Sequence, residues 1–119
     1  MPGTLIYPHE RKALEANGLA AVRRRQTDFA PVVRLWFQTS PLSWLLTHTL
    51  PENGDMAYGL AVQGGPEPSH ELGYWSLAAF ESFNQGDPKT GIVSSSVFLV
   101  QAPLSSYIRA LVRRRVWGY

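Results

Sequence analysis

The sequence of 119 residues contains no cysteine, which excludes disulfide bridges and thiolate metal sites. Charged residues are also scarce, at 17% of the chain with a net charge of only +2, so the overall charge names no partner. No apolar run reaches the roughly 18 residues that span a bilayer. Residues 1–8 lack the basic start and the long apolar stretch of a signal peptide. We therefore expect a cytoplasmic protein with no membrane partner.

Hydrophobic residues make up 45% of the chain, which is enough for a packed core, and we expect a single domain over residues 1–119. The basic residues are uneven in kind, because nine are arginine and two are lysine. Arginine forms paired hydrogen bonds with phosphates and carboxylates and stacks on aromatic rings, which suits a binding surface. A GC-rich genome explains the same composition equally well.

Hydrophobic periodicity and turn residues predict an α+β fold, with one antiparallel sheet of about five strands and helices packed on one of its faces. Strand patterns rich in β-branched and aromatic residues occur at 32–37, 44–50, 56–62, 72–75 and 92–100. Helices are predicted at 8–18, at 77–83 behind the capping residue Ser76, and up to residue 115 behind Ser105 or Ser106. Asn17-Gly18 is interpreted as the stop signal of the first helix, followed by a further helical turn over residues 19–25.

The segment Pro51-Glu52-Asn53-Gly54-Asp55 predicts a tight hairpin turn between the second and third strands. Asn53-Gly54 favours such a turn because both residue types adopt positive φ at low cost. Glu52 and Asp55 are interpreted as solvated turn residues and not as an acid–base pair.

The histidines do not predict a metal site, because His9, His48 and His70 are scattered along the chain without helical pairing. His70-Glu71 begins like a zinc-protease motif, but Tyr74 stands where the second histidine belongs. His48 is predicted to share a strand face with Trp44 and Leu46 as a hydrogen-bonded core or edge residue.

Successive blocks of the chain resemble a known family. The blocks are residues 31–35, 44–47, 57–60, 71–74 with 76–77, and 104–107, together with 11–14 and 17–18 near the start. They are similar to the uncharacterised bacterial family catalogued as domain of unknown function 2958. The resemblance spans nearly the whole chain and implies a small cytosolic protein of plasmids, phages and other mobile elements, with no known activity. The chain departs from the family pattern at 63–70 and 94–96.

No nucleophile motif is present, and residues 86–91 carry phosphate-loop residue types in the wrong order. Glu71 belongs to one of the family-like blocks, and we interpret it as half of a structural ion pair, with Arg34 as the candidate partner. We therefore expect no catalytic residue, no metal and no cofactor.

A binding surface is better supported. Arg34 and Trp36 share a strand face by the two-residue period, which is the arrangement of a stacking platform for single-stranded nucleic acid. Tyr74 and Trp75 point to opposite faces, so one of them is exposed unless the sheet is covered twice. An exposed aromatic patch would also serve a protein partner, since Trp, Tyr and Arg are enriched at interfaces.

Six of the eleven basic residues fall in two similar tracts. The tracts are Arg23, Arg24 and Arg25 after Ala-Ala-Val, and Arg113, Arg114 and Arg115 after Ala-Leu-Val. Both lie at predicted helix C-termini, where the macrodipole favours each cation by ~0.3–1 kcal/mol. If the tracts meet in space they form one polyanion site, and if they lie apart they are two solvated helix ends.

We expect a non-enzymatic interaction protein that binds a host protein or nucleoprotein, as an inhibitor of a defence complex would. The alternative is an accessory protein that binds DNA or RNA directly through its arginines and sheet aromatics, and a small enzyme ranks third. Trp117 and Tyr119 at the end of the last helix favour docking, either on the chain's own sheet or in a homodimer.

Overall fold

The computed structural model describes residues 5–24, 28–83, 91–95 and 102–116, and for 92–95 and 113–116 it describes the backbone alone. The elements in chain order are α1 (Pro8–Val22), β1 (Val33–Phe37), β2 (Leu42–Leu50), β3 (Asn53–Gln63), β4 (Ser69–Ser76), α2 (Leu77–Phe83), β5 (Ile92–Ser95) and α3 (Leu104–Val116). Residues 96–100 of the fifth predicted strand lie outside the described residues, as do residues 84–90 between α2 and β5 and the aromatic end at 117–119.

The five strands form one sheet in the order β4-β3-β2-β1-β5, and every neighbouring pair is antiparallel. The first four strands are a meander joined by short connections, as the turn residues predicted. β5 returns to the far side of β1, which leaves β4 at one edge of the sheet. The predicted α+β architecture is confirmed.

The helices cover both faces of the sheet, so the expectation of helices on one face alone is wrong. On one face, Leu14 of α1 and Phe80 of α2 pack with strand residues such as Leu35 and Leu46. We call this the α1/α2 face. On the opposite face, which we call the α3 face, Leu104 packs in a second cluster with Leu45 and Leu60, joined by the half-buried Ile108 and Leu111. Alternate strand residues are apolar on both sides, so each face needs a helical cover.

A β-bulge in β2 changes the side on which its residues point. Leu46 is paired with Gly59 and His48 with Tyr58, so Thr47 is an extra residue without a partner in β3. One extra residue reverses the alternation that follows it. His48 therefore lies on the α3 face beside Tyr58, and the prediction that it shares a face with Trp44 and Leu46 is wrong.

Helix α1 does not stop at Asn17-Gly18 but continues to Val22. The Asn17 amide donates a hydrogen bond of 2.9 Å to the Thr47 carbonyl at the bulge. A Cβ on Gly18 would lie 1.9 Å from the Thr49 carbonyl oxygen, so only glycine permits this approach of helix to strand. The two residues therefore dock α1 on β2, and α1 ends instead with Arg23 at the C-cap and Arg24 at a φ of 56°.

The hairpin between β2 and β3 turns earlier than predicted. Leu50 pairs with Asn53, so the connecting residues are Pro51 and Glu52, and Gly54 lies within β3. Among the described residues, Gly65 is the glycine with positive φ, so Gly54 does not use the conformation on which the Asn-Gly prediction rested. The Gly54 carbonyl instead accepts a hydrogen bond of 3.0 Å from the Arg11 guanidinium of α1.

Gly18→Ala should lower the free energy of unfolding by about 1–3 kcal/mol, although alanine is the better helix former, because the new methyl group meets backbone that cannot move aside. Gly54→Ala is the matched control, since a Cβ there meets nothing within 4 Å. Urea unfolding of both variants checks this. Equal effects of the two substitutions would show that the contact of Gly18 with β2 is not tight.

Candidate interaction surface

Arg34 and Trp36 lie on the α3 face of β1, beside the part of the sheet that α3 covers. Arg34 is exposed and Trp36 is half-buried. The Arg34 guanidinium carbon lies 4.8 Å from the centroid of the Trp36 ring, which is a cation–π arrangement. The two side chains thus form a small cationic and aromatic patch, as the two-residue period predicted.

Trp75 and Tyr74 lie on opposite faces of β4, and they differ in exposure. Trp75 packs half-buried against the cluster of the α1/α2 face. Tyr74 is 46% exposed and Leu72, two residues before it on the α3 face, is 44% exposed. Trp75, which the sequence nominated for binding, is therefore largely a core residue. Alternation around Trp75 was the signal that could have nominated Leu72 and Tyr74 instead.

β4 is an edge strand, and within the described residues it pairs with β3 alone. It is eight residues long, and its pairing with β3 runs without a register shift from Ser69 to Ser76. The outer side of such a strand presents backbone N–H and C=O groups that another strand can pair with. An eight-residue edge without a bulge and with two exposed apolar side chains is therefore the main candidate among the described residues for binding a partner.

Aromatic rings cross the α3 face from the interior to this edge. Phe29 lies 5.5 Å from His48, His48 lies 5.1 Å from Tyr58 in a stacked arrangement, and Tyr58 lies 5.0 Å from Tyr74, all measured between ring centroids. Such contacts stabilise beyond their buried area. The exposed Tyr74 ring is therefore held by a row of packed rings behind it.

His48 is buried within this row, and burial lowers its pKa because the charged imidazolium is poorly solvated there. The Thr47 hydroxyl donates to the Tyr58 carbonyl over 3.2 Å, and its oxygen lies 3.0 Å from His48 Nδ1. Since the hydroxyl has one proton, the oxygen is left to accept from Nδ1–H. Burial thus favours the neutral form of His48, and the prediction of a hydrogen-bonded core residue is confirmed.

Two aspartates outside the helices hold helix N-termini. Asp55 accepts a hydrogen bond of 2.8 Å from the Ala78 N–H at the start of α2 and another from the Ser76 hydroxyl, which itself accepts from the Ala79 N–H. The prediction that Asp55 is a solvated turn residue is therefore wrong. The prediction that Ser76 caps α2 is confirmed. Asp28 accepts hydrogen bonds from both the N–H and the hydroxyl of Ser105.

Ser105 lies inside the first turn of α3, which begins at Leu104. The Asp28 carboxylate, which accepts the hydrogen bonds of Ser105, takes the place of a capping side chain. A carboxylate at a helix N-terminus satisfies orphan N–H groups and complements the macrodipole. The two aspartates place α2 and α3 against the sheet at defined ends.

The arginine tracts lie on helices that pack on opposite faces of the sheet. Arg23 and Arg24 are exposed at the end of α1, and Arg25 lies outside the described residues. Arg113, Arg114 and Arg115 lie in the last turns of α3, for which the structure describes the backbone alone. The sheet therefore lies between the two helices that carry the tracts.

The proposed pair of Glu71 with Arg34 does not form. Glu71 is on β4 opposite Ala61, on the α1/α2 face, whereas Arg34 is on β1 opposite Leu45, on the α3 face. Two strands and the thickness of the sheet separate them. Among the described residues, no group of three His, Asp or Glu side chains is placed to hold a metal ion. Within the same part of the chain, no helix combines the length and the apolar character needed to cross a membrane.

Comparison with known proteins gives a family for the chain. The profile of the family described as "Protein of unknown function (DUF2958)" matches residues 5–115. The chain belongs to this family. No curated protein and no solved structure matches it. The match therefore gives this DUF2958 member a family without an activity.

Asp55→Ala should lower the free energy of unfolding by about 1–2 kcal/mol at neutral pH, because α2 loses a partner for its N-terminal N–H groups. The hydrogen bonds from Ser76 and Ala78 hold the pKa of Asp55 below its ordinary value. The stabilisation is therefore complete above about pH 4 and is lost as the pH falls through the folded-state pKa.

Urea unfolding of the wild type and the variant at neutral pH and at about pH 3 measures this difference. Glu52→Ala, an exposed carboxylate in the same hairpin, is the control and should change little at either pH. A deficit of Asp55→Ala that persists unchanged at low pH would contradict the role of the charged carboxylate.

Proposed function

We propose that this DUF2958 member is a non-enzymatic interaction protein of a mobile element, which binds an extended segment of a host protein or nucleoprotein along the edge of β4. Its effect on the partner would be inhibition, as expected of a protein that counteracts a host defence complex. The edge of β4 carries this proposal, because among the described residues it pairs with β3 alone and bears the exposed Leu72 and Tyr74.

Addition of a strand to a sheet edge is a common way to bind an extended peptide. Main-chain hydrogen bonds supply affinity, and the side chains that alternate along the edge supply specificity. Along β4 the α3 side offers Leu72 and Tyr74, and the other side offers the exposed Glu71. A fitting segment therefore has apolar side chains at alternate positions and a basic side chain between them.

The surroundings of β4 define how much chain it can bind. Pro68 precedes the strand and cannot donate a backbone hydrogen bond, and α2 begins directly after Ser76. Pairing is thus confined to the eight residues of the strand. This length suits a short linear segment of a larger partner better than a broad domain interface.

Tyr74→Lys should reduce capture of the partner from a bacterial host lysate at least about tenfold. A charged side chain on the edge opposes strand addition, and an aromatic contact with the partner is lost. Leu19→Lys on α1 is the matched control, since Leu19 is 47% exposed, like Tyr74, but belongs to the other layer. Quantitative mass spectrometry of the captured proteins measures the loss.

Proteins that depend on Tyr74 and not on Leu19 support the edge as the binding site. Capture that is equal with both variants would contradict it. If β4 instead pairs with β4 of a second copy, sedimentation should show a dimer that depends on Tyr74. That result would make a second copy, and not a host protein, the partner of the edge.

Direct binding of nucleic acid is the second candidate, and the Arg34–Trp36 stack favours it. The exposed Arg34 guanidinium can bind a phosphate, and the half-buried Trp36 ring beside it can contribute stacking with a base. The patch lies on β1, separated from β4 by β2 and β3, so the two candidate surfaces are distinct.

Trp36→Ala should weaken binding to single-stranded oligonucleotides by about 1–3 kcal/mol, and Arg34→Ala should also reduce the salt dependence of binding by about one phosphate contact. Fluorescence polarisation with DNA and RNA, single- and double-stranded, at low and high salt provides the measurement. The absence of binding by wild-type protein at about 100 μM and low salt would exclude this function, because non-specific binders reach that affinity.

A further inference from the structure

A cavity of about 160 Å³, partly open to solvent, lies on the α3 face between the first turns of α3 and the edge strand β4. Its apolar walls come from Phe29, Leu104 and Ile108 on the helix side and from Tyr58 and Leu72 on the sheet side. Leu72 is also one of the two exposed apolar residues of the β4 edge. The cavity and the edge therefore adjoin at one side chain.

Three polar residues of the cavity wall, Asp28, Thr47 and Ser105, are hydrogen-bonded within the protein. The Thr47 hydroxyl bonds to the Tyr58 carbonyl and lies at hydrogen-bond distance from His48 Nδ1. Both the N–H and the hydroxyl of Ser105 bond to Asp28. The rest of the lining is apolar or aromatic, so the pocket favours an apolar occupant.

The size and the wall chemistry fit one aromatic ring. A buried apolar cavity of about 150 Å³ is known to hold benzene. Two rings of the wall, Phe29 and Tyr58, belong to the row of aromatic contacts that runs to Tyr74. An aromatic ring in the pocket would pack against both rings and make the offset or edge-to-face contacts that aromatic side chains prefer.

We propose that this cavity is the anchor pocket for an aromatic side chain of the extended segment that pairs with β4. The assignment of this side chain to a partner segment bound along β4 rests on the proposed function. In a strand added beside β4, the side chain opposite Leu72 has its Cβ about 5 Å away on the same face, and diagonal neighbours are also within reach of an aromatic side chain. The anchor therefore enters over Leu72 while its backbone pairs with the edge.

Fluorobenzene tests the pocket without a partner. Titration followed by fluorine and proton NMR should show saturable binding, with nuclear Overhauser contacts from the ring protons to the methyl groups of Leu72, Leu104 and Ile108. Binding without saturation, or contacts confined to other methyl groups, would overturn the proposal.

Ile108→Phe fills the pocket and should weaken fluorobenzene binding at least about tenfold. Leu111→Phe is the matched control, because Leu111 lies one turn further along the same side of α3 but does not line the cavity. Circular dichroism and thermal melting establish that both variants are folded. Equal binding by the two variants overturns the proposal, and the contacts observed in the wild type decide it independently if Ile108→Phe does not fold.

A library of random displayed peptides separates this inference from the proposed function. Peptides selected by the wild type and by Leu111→Phe should share an aromatic residue at one position, and those selected by Ile108→Phe should lack it. Peptides that require Tyr74 but show no aromatic preference overturn the anchor and leave the edge as the binding site. A third outcome is that no selected peptide depends on Tyr74 while fluorobenzene still binds in the pocket. In that case the edge-binding function is wrong, and so is the assignment of the anchor to a strand paired with β4.

Discussion

The docking of Asn17 and Gly18 on the bulge of β2 is the contact on which much of the fold depends. The bulge leaves Thr47 without a partner in β3, and the Asn17 amide satisfies its carbonyl. The absence of a side chain at Gly18 lets α1 approach the Thr49 carbonyl directly. A displaced backbone carbonyl near a packed helix is costly unless it is hydrogen-bonded, so the helix and the bulge stabilise each other.

The same bulge determines the chemistry of the α3 face. Because Thr47 and His48 both belong to that face, the hydroxyl and the imidazole can bond to each other, and His48 can stack on Tyr58. The row of rings that ends at Tyr74 and the cavity beside it are built on this arrangement. An unbulged β2 would place His48 under α1 and remove both features.

Helix placement depends on two carboxylates that are remote in sequence from the helices they hold. Asp55 precedes Ala78 by 23 positions and Asp28 precedes Ser105 by 77. Asp55 lies near the start of β3 and Asp28 lies in the segment between α1 and β1, and each is hydrogen-bonded to the N-terminus of a helix. They leave the edge of β4 without a helix along it, within the described residues, which is why this strand is a candidate for binding a partner.

The sequence by itself determined the α+β class, the meander of strands, the cap at Ser76 and the shared face of Arg34 and Trp36, because these follow from local periodicity and turn chemistry. It also supported the family, whose blocks run in order along the chain. Tertiary structure alone decided that Asn17-Gly18 docks on β2 and does not end the helix, and that Thr47 is a bulge. It also decided that Leu72 and Tyr74 lie on the edge strand of the sheet that the described residues form. Each of these depends on contacts between residues distant in the chain, where packing and hydrogen-bond satisfaction override the local preference of a residue type.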